Sequence, residues 1–526
     1  MNRTSPTAAF LALALTLPQS AAAQEGDQTG RPLSAIDWLS ESVSAPDPLT
    51  AAPARPRPRP EGEAPIAETA AVPQVTVLPL GSASPDPLGL LAPSVTGLPR
   101  SLWSGSAVDT LAALIAAERI DTLPAMRDLL RVLLLAEADP PASAGPDGAL
   151  FLARIDKLLD LGALDPAWEL LAATDPDNPA LFRRYFDVAL LTGREGQACR
   201  LMASRPELAP TLSARIFCLA HVGDWPAAAL TLNTARALGD VTAREDALLT
   251  RFLDPQLFEG LPPLPIPERP TPLDFRMREG IGEALSTLDL PRAFAHADLR
   301  EINGWKARLE AAERLVRMGA VDEAVLFGLY TLRRPAASGS VWDRAAAIQD
   351  LDTALAANDA EAVAGALPGA WTAMQAARIE VSFARLLAPR LADIPLEGEA
   401  ATLAFRIGLL SDAYEEIARD RTPATEQERL WIAVATGAPL PEPPRSQPAA
   451  AIQTAFEGMP APDRLMDMVG EDRLGEAILR AIALFDSGQS GDPGALTEAL
   501  AFFRAVGLED TARRAALQLL LLERAP

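Results

Sequence analysis

From about residue 105 onward, apolar residues recur at i, i+3, i+4 and i+7, as in AVDTLAALIAAERI (107–120), and short Gly-, Pro- or Asp-rich breaks interrupt each run. That spacing puts the apolar side chains on one face of an α-helix, and the breaks are where helices stop. Alternation of β-branched residues is scarce outside VPQVTVLPL (72–80), so the pattern predicts an all-α protein. Residues 24–104 read differently. Prolines at 53, 56, 58, 60 and 65 preclude a regular helix or an internal strand and predict a disordered Pro/Ala-rich arm. A second Pro-rich break, GLPPLPIPERPTPL (260–273), divides the helical region into a block over 105–260, a linker over 261–272 and a block over 273–526. A third, GAPLPEPPRSQP (437–448), interrupts the second block without ending it.

One local pattern returns along the helices: an apolar helix end, Gly, four residues, Ala, then another apolar helix. It occurs at Gly162/Ala167, Gly193/Ala198, Gly223/Ala228, Gly319/Ala324, Gly408/Ala413 and Gly507/Ala512. Successive glycines are 31, 30, 96, 89 and 99 residues apart, close to one or three times the ~30–33 residues of a helical hairpin. Glycine lets the backbone leave the first helix in a left-handed conformation. The alanine is expected where two helices cross, its small side chain letting them approach. The motif resembles the turn of tetratricopeptide repeats. HVGDWPAAALTLNTARAL (221–238) is the best copy, and DLGALDPAWELLAATDPDNPA (160–180) adds the Asp-Pro-x-Asn-Pro exit of such repeats. The resemblance implies an α-solenoid of degenerate hairpins, and solenoids bind partners along extended faces. The whole layout is also similar to exported proteins of alphaproteobacteria, some of which carry a name borrowed from antifreeze glycopeptide polyproteins. Ala-Ala-Thr occurs here without a tandem array, which gives no physical basis for ice binding.

The N-terminus supplies an address. MNRTSPT with Arg3, the apolar run AAFLALALTL (8–17), Pro18 and the small residues Ala21–Ala23 together read as a signal peptide over 1–23. Ten apolar residues cannot span ~30 Å of hydrocarbon, so export, cleavage near Gln24 and no further membrane insertion are expected. The A-x-A site and a chain with two lysines, Lys157 and Lys306, point to the periplasm, with full secretion as the alternative. A net charge of −23 argues against nucleic acid, whose phosphates would repel it. Cys199 and Cys218 lie nearly symmetrically about the turn RPELAP (205–210), so a disulfide between them is plausible; two buried thiols are the alternative.

No residue set specifies a reaction. With two histidines, His221 and His296, and no C-x-x-C, a metal site is not expected. G-x-S-x-G, GxxxxGK[ST] and strand-linked GxGxxG are missing from the sequence, and no cofactor is expected. Trp168 and Trp225 fall in repeat turns and are expected between hairpins; Trp305, Trp342, Trp371 and Trp431 are expected in the core. The most function-like stretch is RPLSAIDWLSESVSAPDPL (31–49), where Ile36, Leu39 and Val43 share a helical face beside Trp38. It reads as a docking segment, for a partner or for the protein's own solenoid, with no role as the remaining alternative, and its Pro-Asp-Pro-Leu (46–49) recurs at 85–88. The expectation is a non-enzymatic scaffold that binds a protein or peptide of the cell envelope. The alternatives are a peptidoglycan-acting enzyme or accessory, similar in architecture to superhelical lytic transglycosylases, and a purely structural spacer.

Overall fold

The computed structural model describes residues 84–174, 178–441 and 446–522. The signal segment, most of the arm and the docking residues Ile36, Trp38, Leu39 and Val43 lie outside the described residues. Within them, 25 α-helices form an all-helical, repeat-like stack in which neighbours in sequence pack in pairs. No strand occurs among these residues beyond a single parallel bridge between Leu91 and Ala136. No described helix is long and apolar enough to cross a membrane.

Local chemistry sets the helix ends. Asn178 caps Pro179–Thr192 through Ala180 N–H, and Thr242 with Glu245 and Thr271 with Asp274 form reciprocal capping boxes. The repeat motif behaves as expected at four of its six sites. Gly162, Gly193, Gly223 and Gly507 take positive φ, and Ala167, Ala198, Ala228 and Ala512 are fully buried. Gly319 also has positive φ, but Ala324 is exposed. It stands in the first turn of Glu323–Thr331, where its N–H bonds to Asp322 and its side chain faces away from the crossing. Gly408 ends its helix without positive φ and serves close approach instead: a methyl group there would lie 2.9 Å from Ile417 Cδ1. Ala413 is half-buried.

Cys199 and Cys218 are joined in a disulfide across the turn, with Cα atoms 5.0 Å apart. A loop of 19 residues closed in this way removes about 3 kcal/mol of unfolded-state entropy.

The stack closes on itself around the helix Pro124–Leu135. None of its twelve residues is exposed. Helix Glu509–Leu521 packs on one side, where Ala125 N–H donates to Gln518 Oε1 at 2.8 Å, and Leu474–Gln489 and Ala149–Leu161 pack on others. Arg127 and Arg131 reach the carbonyls of Arg317 and Gly319, and Asp128 pairs with Arg385. A helix apolar or partnered all round is a core helix. The leucine run beginning at Leu129 is therefore the centre of the molecule.

Two sequence boundaries are corrected by this closure. Residues 84–104 belong to the body rather than the arm: Leu102 and Trp103 are buried, and Trp103 packs so tightly on Gly475 that a methyl group there would lie 2.2 Å from its Cζ3. Asp86 is fully buried, with its Oδ1 accepting Phe151 N–H at 2.7 Å. The buried Arg154 guanidinium donates to the carbonyls of Asp86, Leu134 and Ala136, satisfying the C-terminal end of the central helix. Burial pushes the Arg154 pKa down to about 10, with Asp86 opposing. Likewise, 261–272 does not separate two blocks. Arg251 and Arg278 hold the carbonyls of Pro262 and Pro265, and Glu283 accepts Leu264 N–H. The chain then returns, so that Pro272–Gly280 and Ala295–Asp298 pack on Pro179–Thr192. His296 Nε2 lies 2.6 Å from Gly162 O, and burial lowers its pKa, which makes it a neutral Nε2–H donor.

Candidate interaction surface

The hairpin row from Pro179 ends in helices Trp225–Leu238 and Ala243–Leu253. An aromatic series runs through it: Trp168 stacks on Tyr185 at 4.3 Å, Phe186 meets Phe217 edge-on at 6.3 Å, Phe217 stacks on Phe252 at 5.4 Å, and Phe252 meets Trp225 at 6.4 Å. His221, at its helix end, stacks on Phe217. Trp168 is buried between hairpins as expected, but Trp225 is 46% exposed. No later hairpin covers its outer side, because the chain turns back at the Pro-rich segment.

Ala228, Leu232 and Ala235 form the inward face of Trp225–Leu238. The outward face carries Pro226, Ala229 and Leu230, the last 69% exposed. Seven of the fifteen exposed large apolar side chains among the described residues fall in this one stretch: Val222, Trp225, Leu230, Leu238, Leu257, Leu261 and Ile266. Singly scattered exposed apolar residues are ordinary, and this concentration along one stretch of chain makes it the candidate contact region. Asp224, Asp240, Asp254 and Glu259, all exposed, give the same stretch an acidic rim. Beside it, a cleft of about 410 Å³ is lined by Arg251, Phe258, Leu261, Pro263 and Ile281.

Two of the remaining four tryptophans lie in the core as expected, and two lie at its margin. Trp371 and Trp431 are buried, while Trp305 and Trp342 pack on each other at 4.9 Å, half-buried, with Trp305 Nε1–H donating to Leu329 O. Sequence reasoning placed Trp225 between hairpins and so missed this surface. The available signal was Leu230, on the side of the helix opposite Ala228 and Leu232. Comparison of the chain with protein-family models, curated proteins and solved structures finds no match.

Proposed function

We propose that this protein is a non-enzymatic scaffold of degenerate tetratricopeptide-like hairpins that acts in the periplasm and binds a protein or peptide of the cell envelope. The observation that carries this reading is the concentration of exposed apolar side chains over 222–266, at the free end of a hairpin row. The partner covers Trp225 and Leu230, and the acidic rim selects a surface with basic flanks. The signal-like residues 1–23 supply the route of export, and the arm supplies reach.

The test compares purified wild type with a Trp225→Ser/Leu230→Glu variant in capture from a periplasmic extract. Wild type is expected to enrich at least one envelope protein that the variant loses. Identical capture profiles sink the assignment of the surface, and turnover of peptidoglycan by the wild type sinks the non-enzymatic reading. A third sample lacking residues 24–83 reports the role of the arm. The deletion stops there because Asp86, Leu102 and Trp103 are part of the core.

A further inference from the structure

On the opposite side of the Gly162 turn, four arginines converge on a second cleft. A cavity of about 680 Å³ has Asp121, Asp289, Arg292, Arg314, Arg317 and Arg378 in its lining. Asp121 lies just before the central helix, Arg292 on the returning segment, Arg314 and Arg317 at the end of Trp305–Val316, and Arg378 just past Ala360–Ala377.

The guanidiniums are held by neutral groups. Arg314 donates to Thr287 O at 2.6 Å and to Leu290 O, and Arg317 Nε donates to Ala377 O at 2.7 Å. Arg292 and Arg378 make no ion pair among the described residues. Carbonyls orient a guanidinium without cancelling its charge. Two aspartates face four arginines, so the lining carries a net charge of about +2, although the chain as a whole carries −23. Crowding shows in the titration: burial first, then Arg292 and Arg317, lowers the Arg314 pKa against the opposing pull of Asp289 and Asp298. Burial first, then Arg378, Arg344 and Arg292, lowers that of Arg317 against the opposing pull of Glu313. Arg378 also holds φ at 57°, a conformation that a non-glycine residue adopts only when its surroundings impose it.

Like charges held together in a partly buried cleft call for counter-charge, and a planar guanidinium pairs two-pronged with carboxylate or phosphate oxygens. We propose that this cleft binds a small organic anion bearing two or more oxyanion groups. Arg314 and Arg317 form a fixed base, and Arg292 and Arg378 close on the ligand from the rim. The net charge sets the minimum of two anionic groups, and the volume admits a molecule well beyond a single inorganic ion. Because the arginines come from three separate segments, the ligand also ties the returning chain at Arg292 to the ends of Trp305–Val316 and Ala360–Ala377.

Calorimetric titration of the full chain at low salt uses citrate for carboxylates, pyrophosphate for phosphates and acetate as the single-charge control. Citrate or pyrophosphate is expected to bind at least about tenfold more tightly than acetate, and whichever of the two binds more tightly identifies the oxyanion. Arg292→Gln/Arg378→Asn, with asparagine chosen to tolerate the left-handed backbone, is expected to weaken that binding by about tenfold or more. Arg429→Gln, which removes a surface pair with Glu426, should leave it unchanged. If the double variant does not fold, phenylglyoxal labelling of Arg378 in the wild type replaces it, with protection by the tighter anion as the expected result. Binding no stronger than acetate, binding insensitive to the double variant, or labelling without protection overturns the proposal.

Discussion

The central helix Pro124–Leu135, rich in leucine, and the tip helix Trp225–Leu238, rich in alanine and leucine, are both largely apolar with a proline in the first turn, and meet opposite fates. In the first, no residue is exposed; in the second, nine of fourteen are. Apolar content therefore does not decide which helix is core. What decides is how many neighbours the topology delivers: the central helix receives cover from chain segments up to 393 residues away, whereas beyond the tip helix the chain turns back. One helix holds the molecule together, and the other presents a surface.

The largest expected effect falls on the central helix. Leu133→Ala should lower unfolding free energy by about 2–5 kcal/mol, because a fully buried side chain surrounded on all sides leaves a cavity that cannot collapse. Urea unfolding monitored by circular dichroism measures it, and a loss below about 1 kcal/mol would remove the contrast.

Next comes a pH effect where the segment around Glu118 meets Leu474–Gln489. Burial first, then the nearby charge of Asp486, pushes the Glu118 carboxyl up to about 8, against the pull of Lys157. Asp486 is raised chiefly by burial while Thr122 donates to it and Arg119 stands nearby. The Lys157 ammonium donates to the Ala116 and Glu118 carbonyls and pairs with Asp160. Folded Glu118 thus keeps its proton over a range in which the unfolded chain has lost it. Stability should fall as pH rises from the ordinary carboxyl range to about 8, by at most about 1.4 kcal/mol per unit. Glu118→Gln should flatten that slope in thermal melts taken across the range; an unchanged slope would assign it to other groups. The smallest effect belongs to the tip. Leu230→Glu alone should change stability by less than about 0.5 kcal/mol in the same urea assay, and a larger loss would place Leu230 in the core.

Much of the fold could be read from local pattern. Thr242 with Glu245 announces a helix start, and Gly162, Gly193 and Gly223 announce turns, because each acts within four or five residues of itself. The end of the arm could not be read so. Pro85, Pro87, Pro93 and Pro99 look like spacer, while the groups that order them, Arg154, Phe151 and Gly475, are far along the chain. The arginine-lined cleft has no local motif either, since Arg292, Arg314 and Arg378 meet only after the chain has folded. The exposed face was partly legible, because the spacing of Leu230 and Leu232 already put one leucine on each side of the helix.

Closure also sets an order of events. The central helix is synthesised well before its partner Gln518, which lies 393 residues further along the chain. Ala149–Leu161 covers one side of it soon after, but the sides that meet Leu474–Gln489 and Glu509–Leu521 wait, and the bond from Ala125 to Gln518 spans 393 residues. Such contacts form late and slowly, and the waiting surface is a site for aggregation. The seam that closes the molecule is therefore also where it opens: detaching Glu509–Leu521 and Leu474–Gln489 exposes the side of the central helix that they cover.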